Sequence, residues 1–383
     1  YCLNTRLAWN AQGGSKACKK RFQLLRRRAS HEHCDQRSHG APCQRAMNAQ
    51  ASNSCESVTM VVPARDAAAT IEHCLLAARD IQMQPDSPLT RIILVNDGSQ
   101  DATAEIARKL GVEVINGTGR GAAAARNMGW LAATTDLIWF IDADCIPDPN
   151  SLTTLLPHLR HLQVAGVGGT YSIGPDASLL QRLIHEEIKV RHAKMPVSVD
   201  FLATFDVLYR RSIMEYLHGF DERFLKGQDA EFAFRVIEAG HQLHFEPQSI
   251  VEHHHADRLS RYLKVQRQQG YWRVALHLEH RGRGRGNSYS SALDHAQPFV
   301  ATVIPIAAMI PLVGAEWWIA ALPLVALLVL QLPMAVAMAQ RAGPSMLAFI
   351  PLGALRAAYR AVGMWHGVID RIVATASSRA PKS

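Results

Sequence analysis

Two carboxylates separated by one small residue are the clearest chemical signal in the sequence. Asp142 and Asp144 directly follow the apolar run 137–141 (LIWFI), which is typical of a buried strand. A turn at the end of that strand would bring both carboxylates to one divalent cation, and carboxylate oxygens are ligands that suit Mg²⁺ or Mn²⁺. Aspartates are also common in ordinary solvated turns, so the pair alone leaves both interpretations open.

Other polar and turn-forming residues stand at the ends of further predicted strands. Besides 137–141, three apolar runs are typical of strands, namely 57–63, 91–95 and 112–115. Helical patterns follow each of them, over 67–80, 102–110 and 122–133. This alternation predicts an α/β fold with a mostly parallel central sheet, helices on both sides and a ligand at the carboxyl ends of the strands.

A third carboxylate and a histidine triplet lie farther along the chain. Asp229 stands in the segment GQDAEF, at the predicted start of a helix, where the positive end of the helix dipole favours an ionised carboxylate. The same position is typical of an ordinary capping residue. His253 opens a run of three histidines, and such a run in a loop usually faces solvent. Neither residue therefore indicates a particular chemistry by itself.

The charge of the 383-residue chain is unevenly distributed. Residues 1–55 hold ten Lys and Arg against two Asp and Glu, whereas the remainder balances at 31 against 31. We predict a disordered basic extension over 1–55, with Met47 within it as the natural start and without the apolar core of a signal peptide. Five of the seven cysteines lie in that extension, so the remainder is expected to be reduced. No basic face with interleaved aromatic residues recurs outside it, which argues against nucleic acid as a partner.

The carboxyl-terminal part has the composition of a membrane region. Residues 298–315 and 317–339 contain no charged side chain, and each run is close to the length that crosses a bilayer, so two transmembrane helices are expected. A third apolar run, 344–369, carries Arg356 and Arg360 on one face and is expected to lie in the membrane interface or to form a third helix. The helices 298–315 and 317–339 would form a hairpin, and basic residues lie before and after it. This predicts a cytoplasmic (inner) membrane protein whose soluble part faces the cytoplasm.

Taken in order, the motifs resemble those of family 2 glycosyltransferases of the GT-A fold, from Ser57 to about Trp272. The matching segments are VVPARD, VNDGSQDAT, GAAAARNMG, DAD, GFDERF and GQDAEF. The ordered set is far more specific than any single motif. The resemblance implies a catalytic domain over 56–285, followed by the membrane region 286–383.

The resemblance also implies roles for single residues. The donor nucleotide sugar would contact Pro63, Ala64, Asp66, Asp97, Arg126 and Asp142. A divalent cation, Mg²⁺ or Mn²⁺, would be held by Asp144, with His253 completing the site, and Asp229 would be the catalytic base. Asn96, Ala67 and Gln228 depart from the residues common in the family, and Gln228 leaves Asp229 without a neighbouring carboxylate.

The reaction implied is an inverting transfer of a sugar from a nucleoside diphosphate to a hydroxyl of a glycan or lipid-linked acceptor. The segment 266–272 only approximates the Q-x-x-R-W signature of processive synthases, so transfer of single sugars is expected. Two other interpretations stay open at this point. A sugar nucleotidyltransferase shares the architecture, although its glycine-rich loop would follow the first strand. A membrane-anchored protein that binds nucleotide sugars without turnover is the other.

Overall fold

The computed structural model of the chain describes residues 56–280, 287–314 and 316–379. The predicted extension 1–55, with Met47, lies outside the described residues. The described strands are β1 Val58–Ala64, β2 Leu89–Asn96, β3 Glu113–Asn116, β4 Leu137–Ile141, β5 Cys145–Pro147, β6 Val164–Ser172, β7 Ser198–Val199, β8 Asp206–Arg210 and β9 Gln242–His253.

Helices connect these strands and make up most of the described carboxyl-terminal part. Up to residue 280 they are α1 Ile71–Gln82, α2 Thr103–Lys109, α3 Ala122–Ala132, α4 Ser151–Leu155, α5 Leu179–His192, α6 Arg211–Tyr216, α7 Gln228–Glu238 and α8 Leu259–Glu279. After them come α9 Ala292–Ala307, α10 Trp317–Val329, α11 Leu332–Ala342 and α12 Phe349–Arg379. Short 3₁₀ turns occupy Leu156–Arg160, Ile310–Val313 and Pro344–Ala348.

The described strands form one mixed sheet in the order β3-β2-β1-β4-β8-β6-β9-β5, with β7 paired to β9. The first four of these neighbours are parallel, with β1 lying between β2 and β4. Their carboxyl ends therefore meet at one edge, as the alternation of strands and helices predicts. Helices cover both faces, and the apolar run LIWFI of β4 is completely buried between them.

The other half of the sheet contains antiparallel pairs that the sequence pattern did not predict. Strand β8 runs antiparallel to both β4 and β6, and β5 runs antiparallel to β9. The pairing of β6 with β8 needs a glycine at position 166, because a Cβ there would lie 2.4 Å from the ring of Tyr209. This half matters for the site since β5 and β9 carry its residues.

Helices α8 and α12 approach each other so closely that their backbones touch at glycines. A Cβ on Gly270 of α8 would lie 2.1 Å from the carbonyl oxygen of Arg360, and a Cβ on Gly363 of α12 would lie 1.9 Å from that of Arg267. Small residues at such positions allow two helices to pack at short range. The two glycines therefore allow the long carboxyl-terminal helix α12 to pack directly against α8, which follows the sheet.

Two helical segments are long and apolar enough, by length and composition, to cross a membrane. They are Ala292–Leu312, with a mean hydropathy of 1.4, and Trp317–Ala342, with a mean hydropathy of 2.3. They overlap the predicted spans 298–315 and 317–339. The second is interrupted where α10 ends at Val329 and α11 begins at Leu332, since Pro333 in the first turn of α11 donates no backbone hydrogen bond.

A buried group of charges joins α5 to α9 and α12 of the carboxyl-terminal part. Glu187 and Arg191 on α5 are paired with each other, Arg191 makes two hydrogen bonds of 2.7 and 2.8 Å to Asp294 of α9, and Glu187 also contacts Arg356 of α12. The positive charges lower the pKa of Glu187 to about 2, against the opposing effect of burial. Arg360 contacts Gln266 of α8 instead. The location of 344–369 in the membrane interface stays a prediction. The structure shows that Arg356 and Arg360, the two arginines of that segment, contact Glu187 and Gln266.

We expect Gly363→Ala to destabilise the protein, because its methyl group would have to displace the backbone of α8. Overpacking of this kind costs about 1–3 kcal/mol. Gly353→Ala in the same helix is the matched control, since its Cβ would meet the flexible end of the Gln331 side chain, 2.3 Å away. Thermal unfolding in detergent should show a clearly larger loss for Gly363→Ala. Equal losses for the two variants would contradict the close approach of α8 and α12.

Candidate functional site

The turns after β1 and β2 are locked together at the carboxyl edge of the sheet. Ala64 pairs with Asn96 in the parallel register, and the N–H of Asp97 donates to the carbonyl of Ala64. Asp66, with a φ of 51°, accepts from the N–H of Gln100 at 2.8 Å. The predicted residues Pro63, Ala64 and Asp66 thus lie beside the NDGS turn, as the order of the strands requires.

Asp97 is buried and holds the loop that follows β3. Its two carboxylate oxygens accept from the N–H groups of Gly119 and Gly121, each at 2.8 Å. Both glycines have a positive φ, which L-residues with side chains rarely adopt. Asp97 therefore anchors this loop through its carboxylate, a role that was not predicted from the sequence.

Arg126 joins the helix after this loop to the first aspartate of the DAD segment. Its Nη2 lies 2.6 Å from Oδ1 of Asp142, while its Nε and Nη1 are buried and make no hydrogen bond within the described residues. Arg126 is 3% exposed, so two nitrogens of its guanidinium lack the partners that a buried cation needs. Burial raises the pKa of Asp142, against the pull of Arg126. The Nε and Nη1 groups of Arg126 are therefore available to a further hydrogen-bond acceptor.

Asp144 and His253 come together because β5 pairs with β9. Nε2 of His253 lies 3.5 Å from Oδ2 of Asp144, and ligand atoms of these two residues and Cys145 lie within 4.8 Å of one another. Although burial opposes it, His253 holds the pKa of Asp144 below its ordinary value. Burial and the neighbouring carboxylates raise the pKa of Cys145, so its thiol stays protonated. An ionised carboxylate and an imidazole are suitable ligands for Mn²⁺, so the residues fit a divalent cation.

Asp229 lies in the first turn of α7, after Gly227 in the left-handed conformation. Oδ1 of Asp229 accepts from the N–H of Ala230 at 2.9 Å. Burial raises its pKa, with Arg126 acting in the opposite direction and Asp142 in the same one. Since the charges of Arg126 and Asp142 act on Asp229, that residue lies at the same end of the sheet as the DAD segment. A carboxylate whose pKa is raised towards neutrality is a better proton acceptor than an ordinary aspartate.

Glu231, the other carboxylate of that turn, is already engaged. Its oxygens form two hydrogen bonds of 2.6 and 2.8 Å with Arg235, which also donates to the carbonyl groups of Leu217 and Gly219. Glu231 is 3% exposed. It therefore stabilises the turn before the GFDERF segment and is not free to accept a proton from a bound molecule.

Two further residues support the site, although they are not among the residues predicted for it. Asn127 donates to the carbonyl of Phe220 at 2.8 Å and accepts from its N–H at 2.9 Å, which fixes the GFDERF segment against α3. Asp206, buried at the start of β8, accepts from Trp139 and Ser249, and burial raises its pKa to about 6. Asn127 follows Arg126 in the matched segment, which was the available signal, whereas Asp206 lies in a strand that the pattern did not predict.

Comparison with known proteins gives the site a context. Residues 59–218 match the family described as Glycosyl transferase family 2. Over 213 residues the chain is 29% identical to a pre-mycofactocin glycosyltransferase of Mycobacterium tuberculosis, covering 53% of this chain and 43% of that protein. It is 24% identical over 219 residues to the O-antigen chain rhamnosyltransferase RfbN of Salmonella typhimurium, covering 52% of this chain and 66% of the other. The chain thus spans less than half of the mycobacterial relative.

A solved structure with the same architecture is a mannosyltransferase from Pyrobaculum calidifontis in complex with GDP-Man and Mn²⁺. The two chains superpose with a TM-score of 0.54 at 17% identity, over 82% of this chain and 88% of the other. At that identity the likeness concerns the fold, which is GT-A with its mixed, mostly parallel sheet.

We expect Asp97→Asn to loosen the loop 117–121, because an amide can accept from only one of the two glycine N–H groups and offers an N–H to the other. A hydrogen bond to a charged group contributes about 1.5–3 kcal/mol, so amide exchange in this loop should accelerate by about tenfold or more. Hydrogen–deuterium exchange measures this. Asp136→Asn, at the amino end of β4, is the control and should leave the loop unchanged. Unaltered exchange in Asp97→Asn would contradict the anchoring role of Asp97.

Proposed function

We propose that this chain is a family 2 glycosyltransferase that moves a sugar from a nucleoside-diphosphate donor to a hydroxyl of a glycan or lipid-linked acceptor, one sugar at a time and with inversion. The observation that carries the proposal is the grouping of Arg126, Asp142, Asp144, His253 and Asp229 at one edge of the sheet. This grouping offers groups for a cation, an anion and a proton at one end of the sheet.

The donor binds across the carboxyl ends of β1, β2 and β4. Pro63, Ala64, Asp66 and Asp97 border the nucleoside, and Asp142 reaches its ribose or base. Asp97 acts there in part through the loop 117–121 that its two oxygens hold. The unpartnered Nε and Nη1 of Arg126 support a contact with the donor diphosphate, since a buried guanidinium with free donors binds phosphate oxygens well.

Asp144 and His253 hold the divalent cation, Mg²⁺ or Mn²⁺. When bound, that cation neutralises the diphosphate and makes it a better leaving group. Support comes from the 3.5 Å separation of the Asp144 oxygen and the His253 nitrogen and from the low pKa of Asp144, which keeps its carboxylate ionised. Mn²⁺ is present in the mannosyltransferase structure of the same fold.

Asp229 is the proposed general base. It accepts the proton of the acceptor hydroxyl while that oxygen forms a bond to the anomeric carbon, and the bond from the same carbon to the diphosphate oxygen breaks on the opposite face. Two facts support Asp229 over its neighbours: its pKa is raised by burial, and Glu231 is held by Arg235. Gln228 is buried and uncharged, so it adds no competing carboxylate.

The acceptor is proposed to be near a membrane. The segments Ala292–Leu312 and Trp317–Ala342 have the length and composition of spans, and only 17% of each segment's apolar window is buried inside the protein. An O-antigen chain rhamnosyltransferase is among the relatives, which favours a glycan of the cell envelope. We propose that the hairpin anchors the chain in the cytoplasmic membrane with the catalytic part on the cytoplasmic side, because basic residues precede and follow it.

Asp144 acts through the cation on the donor diphosphate, whereas Asp229 acts on the proton of the acceptor. Substitutions at the two residues should therefore affect donor binding and turnover differently. Asp144→Asn is expected to weaken cation-dependent donor binding as well as turnover. Asp229→Asn is expected to leave donor affinity nearly unchanged while lowering kcat by roughly 10²–10⁴. Donor binding by calorimetry and release of nucleoside diphosphate measure the two effects.

Asp176→Asn, a charge change on an exposed loop residue, serves as the control for both variants. If Asp229→Asn turned over at a near-normal rate, Asp229 would not be the base. If Asp144→Asn bound donor as the parent does in the presence of Mn²⁺, the cation would be held elsewhere.

The orientation of the hairpin is tested by cysteine labelling in intact cells. Glu316→Cys, in the exposed turn before α10, should react with a membrane-impermeant maleimide, whereas Arg341→Cys, at the end of α11, should react only after the cells are opened. The reverse pattern would place the catalytic part outside and contradict the proposed orientation.

A further inference from the structure

A second histidine engages the ring nitrogen of His253 that does not face Asp144. Nε2 of His253 lies 3.5 Å from Oδ2 of Asp144, whereas its Nδ1 lies 2.8 Å from Nδ1 of His255. His255 is 5% exposed, and its Nε2 lies 3.4 Å from Nδ1 of His185, a residue of α5 that is also buried. The three rings therefore form a chain of contacts that leads from the proposed cation site into the interior of the protein.

We propose that His255 is a positioning residue, which prepares Nε2 of His253 to bind the divalent cation. The proposal rests on the proposed function, because it takes Asp144 and His253 to hold that cation. His255 acts only through His253 and touches neither the cation nor the donor. The histidine between them, His254, is exposed, so the triplet is divided into two inward-facing rings and one that faces solvent.

The position of the proton on His253 decides whether that ring can bind a cation. A neutral imidazole has one N–H and one lone pair, and a metal is bound through the lone pair. When Nε2 of His253 binds the cation, the proton of the ring lies on Nδ1 and is donated to Nδ1 of His255. His255 then carries its own proton on Nε2, which faces His185. The chain of rings thus supplies the acceptor that the cation-binding tautomer of His253 requires.

His255 is itself held in place by its surroundings. Its backbone carbonyl accepts from Nε2 of Gln181, in the first turn of α5, at 3.1 Å. The ring of Tyr171 packs against both histidines, with its centroid 4.9 Å from that of His253 and 5.6 Å from that of His255, and it stacks on Phe205 at 3.5 Å. Partners of this kind orient the ligands of metal sites, and their loss weakens metal binding.

Binding of Mn²⁺ to the full chain tests the proposal, with the ion alone as the probe and the electron paramagnetic resonance signal of free Mn²⁺ as the readout. In His255→Leu no side-chain atom accepts from Nδ1 of His253, so the affinity for Mn²⁺ should fall by about 10–100-fold. In His255→Asn the Oδ1 atom is attached to Cγ as Nδ1 is in histidine, so this variant should recover most of that affinity. A space-filling role would give the opposite order, because leucine replaces the buried ring better than asparagine does.

Three further variants complete the experiment. His254→Ala is the matched control, since it changes the exposed histidine of the same triplet, and it should bind Mn²⁺ as the parent does. His253→Ala removes the proposed ligand and should lose at least as much affinity as His255→Leu. Circular dichroism confirms that each variant is folded. If His255→Leu does not fold, His255→Gln decides the matter, because its amide reaches the place of Nε2 but not that of Nδ1 and the affinity should fall in the same way.

The outcomes separate this proposal from the function on which it rests. If folded His255→Leu or His255→Gln bound Mn²⁺ as tightly as the parent while His253→Ala bound it more weakly, the role of His255 would be overturned and the cation site would stand. If His255→Asn were as weak as a folded His255→Leu, the hydrogen bond would not be what matters, and the role of His255 would again be overturned. If His253→Ala bound as tightly as the parent, or if the parent did not bind Mn²⁺, both the cation site and the role of His255 would be contradicted.

Discussion

The antiparallel pairing of β5 with β9 is the interaction on which the arrangement of the site depends. Only three residue pairs join the two strands, with Cys145 opposite His253. This short ladder brings a histidine near the end of the catalytic part to the aspartate that follows β4. Strand β9 is held from its other side by seven pairs with β6, so the position of His253 is set by the sheet rather than by a free loop. A rigid strand orients a ligand better than a solvated histidine run would.

The parallel half of the fold was predictable from sequence because local patterns determine it. Each strand there is a compact apolar run bounded by a turn, and β4 was predicted with its observed bounds, 137–141. The approach of Asp142 to Arg126 follows from parallel strands and short connections. Asp97 was placed correctly at the edge, but its two bonds to glycine N–H groups depend on the path of a loop twenty residues later, which no local pattern encodes.

The antiparallel half was not predictable, because no local pattern in the sequence determines it. Strand β6 contains three glycines, β9 mixes polar and apolar residues, and the register between the two is irregular, so their apolar alternation is weak. The pairing of this half is decided by contacts across the fold. The pattern therefore did not single out Asp206. The membrane-like runs were evident from composition alone, whereas the contacts of Arg356 and Arg360 with α5 and α8 needed the structure, since opposite charges distant in sequence give no periodic signal.

The buried charge group on α5 also has a consequence for the order of events during synthesis. Arg191 precedes Asp294 by 103 residues and Glu187 precedes Arg356 by 169 residues. At a translation rate of about 10 residues per second, Glu187 is made about 17 s before Arg356. Throughout that interval α5 carries charges that water must solvate, so the surface of α5 facing α12 stays hydrated until the apolar segments have left the ribosome. Helix α5 can therefore complete its packing against α9 and α12 only after both have been synthesised. This packing is one of the last steps in the folding of the chain.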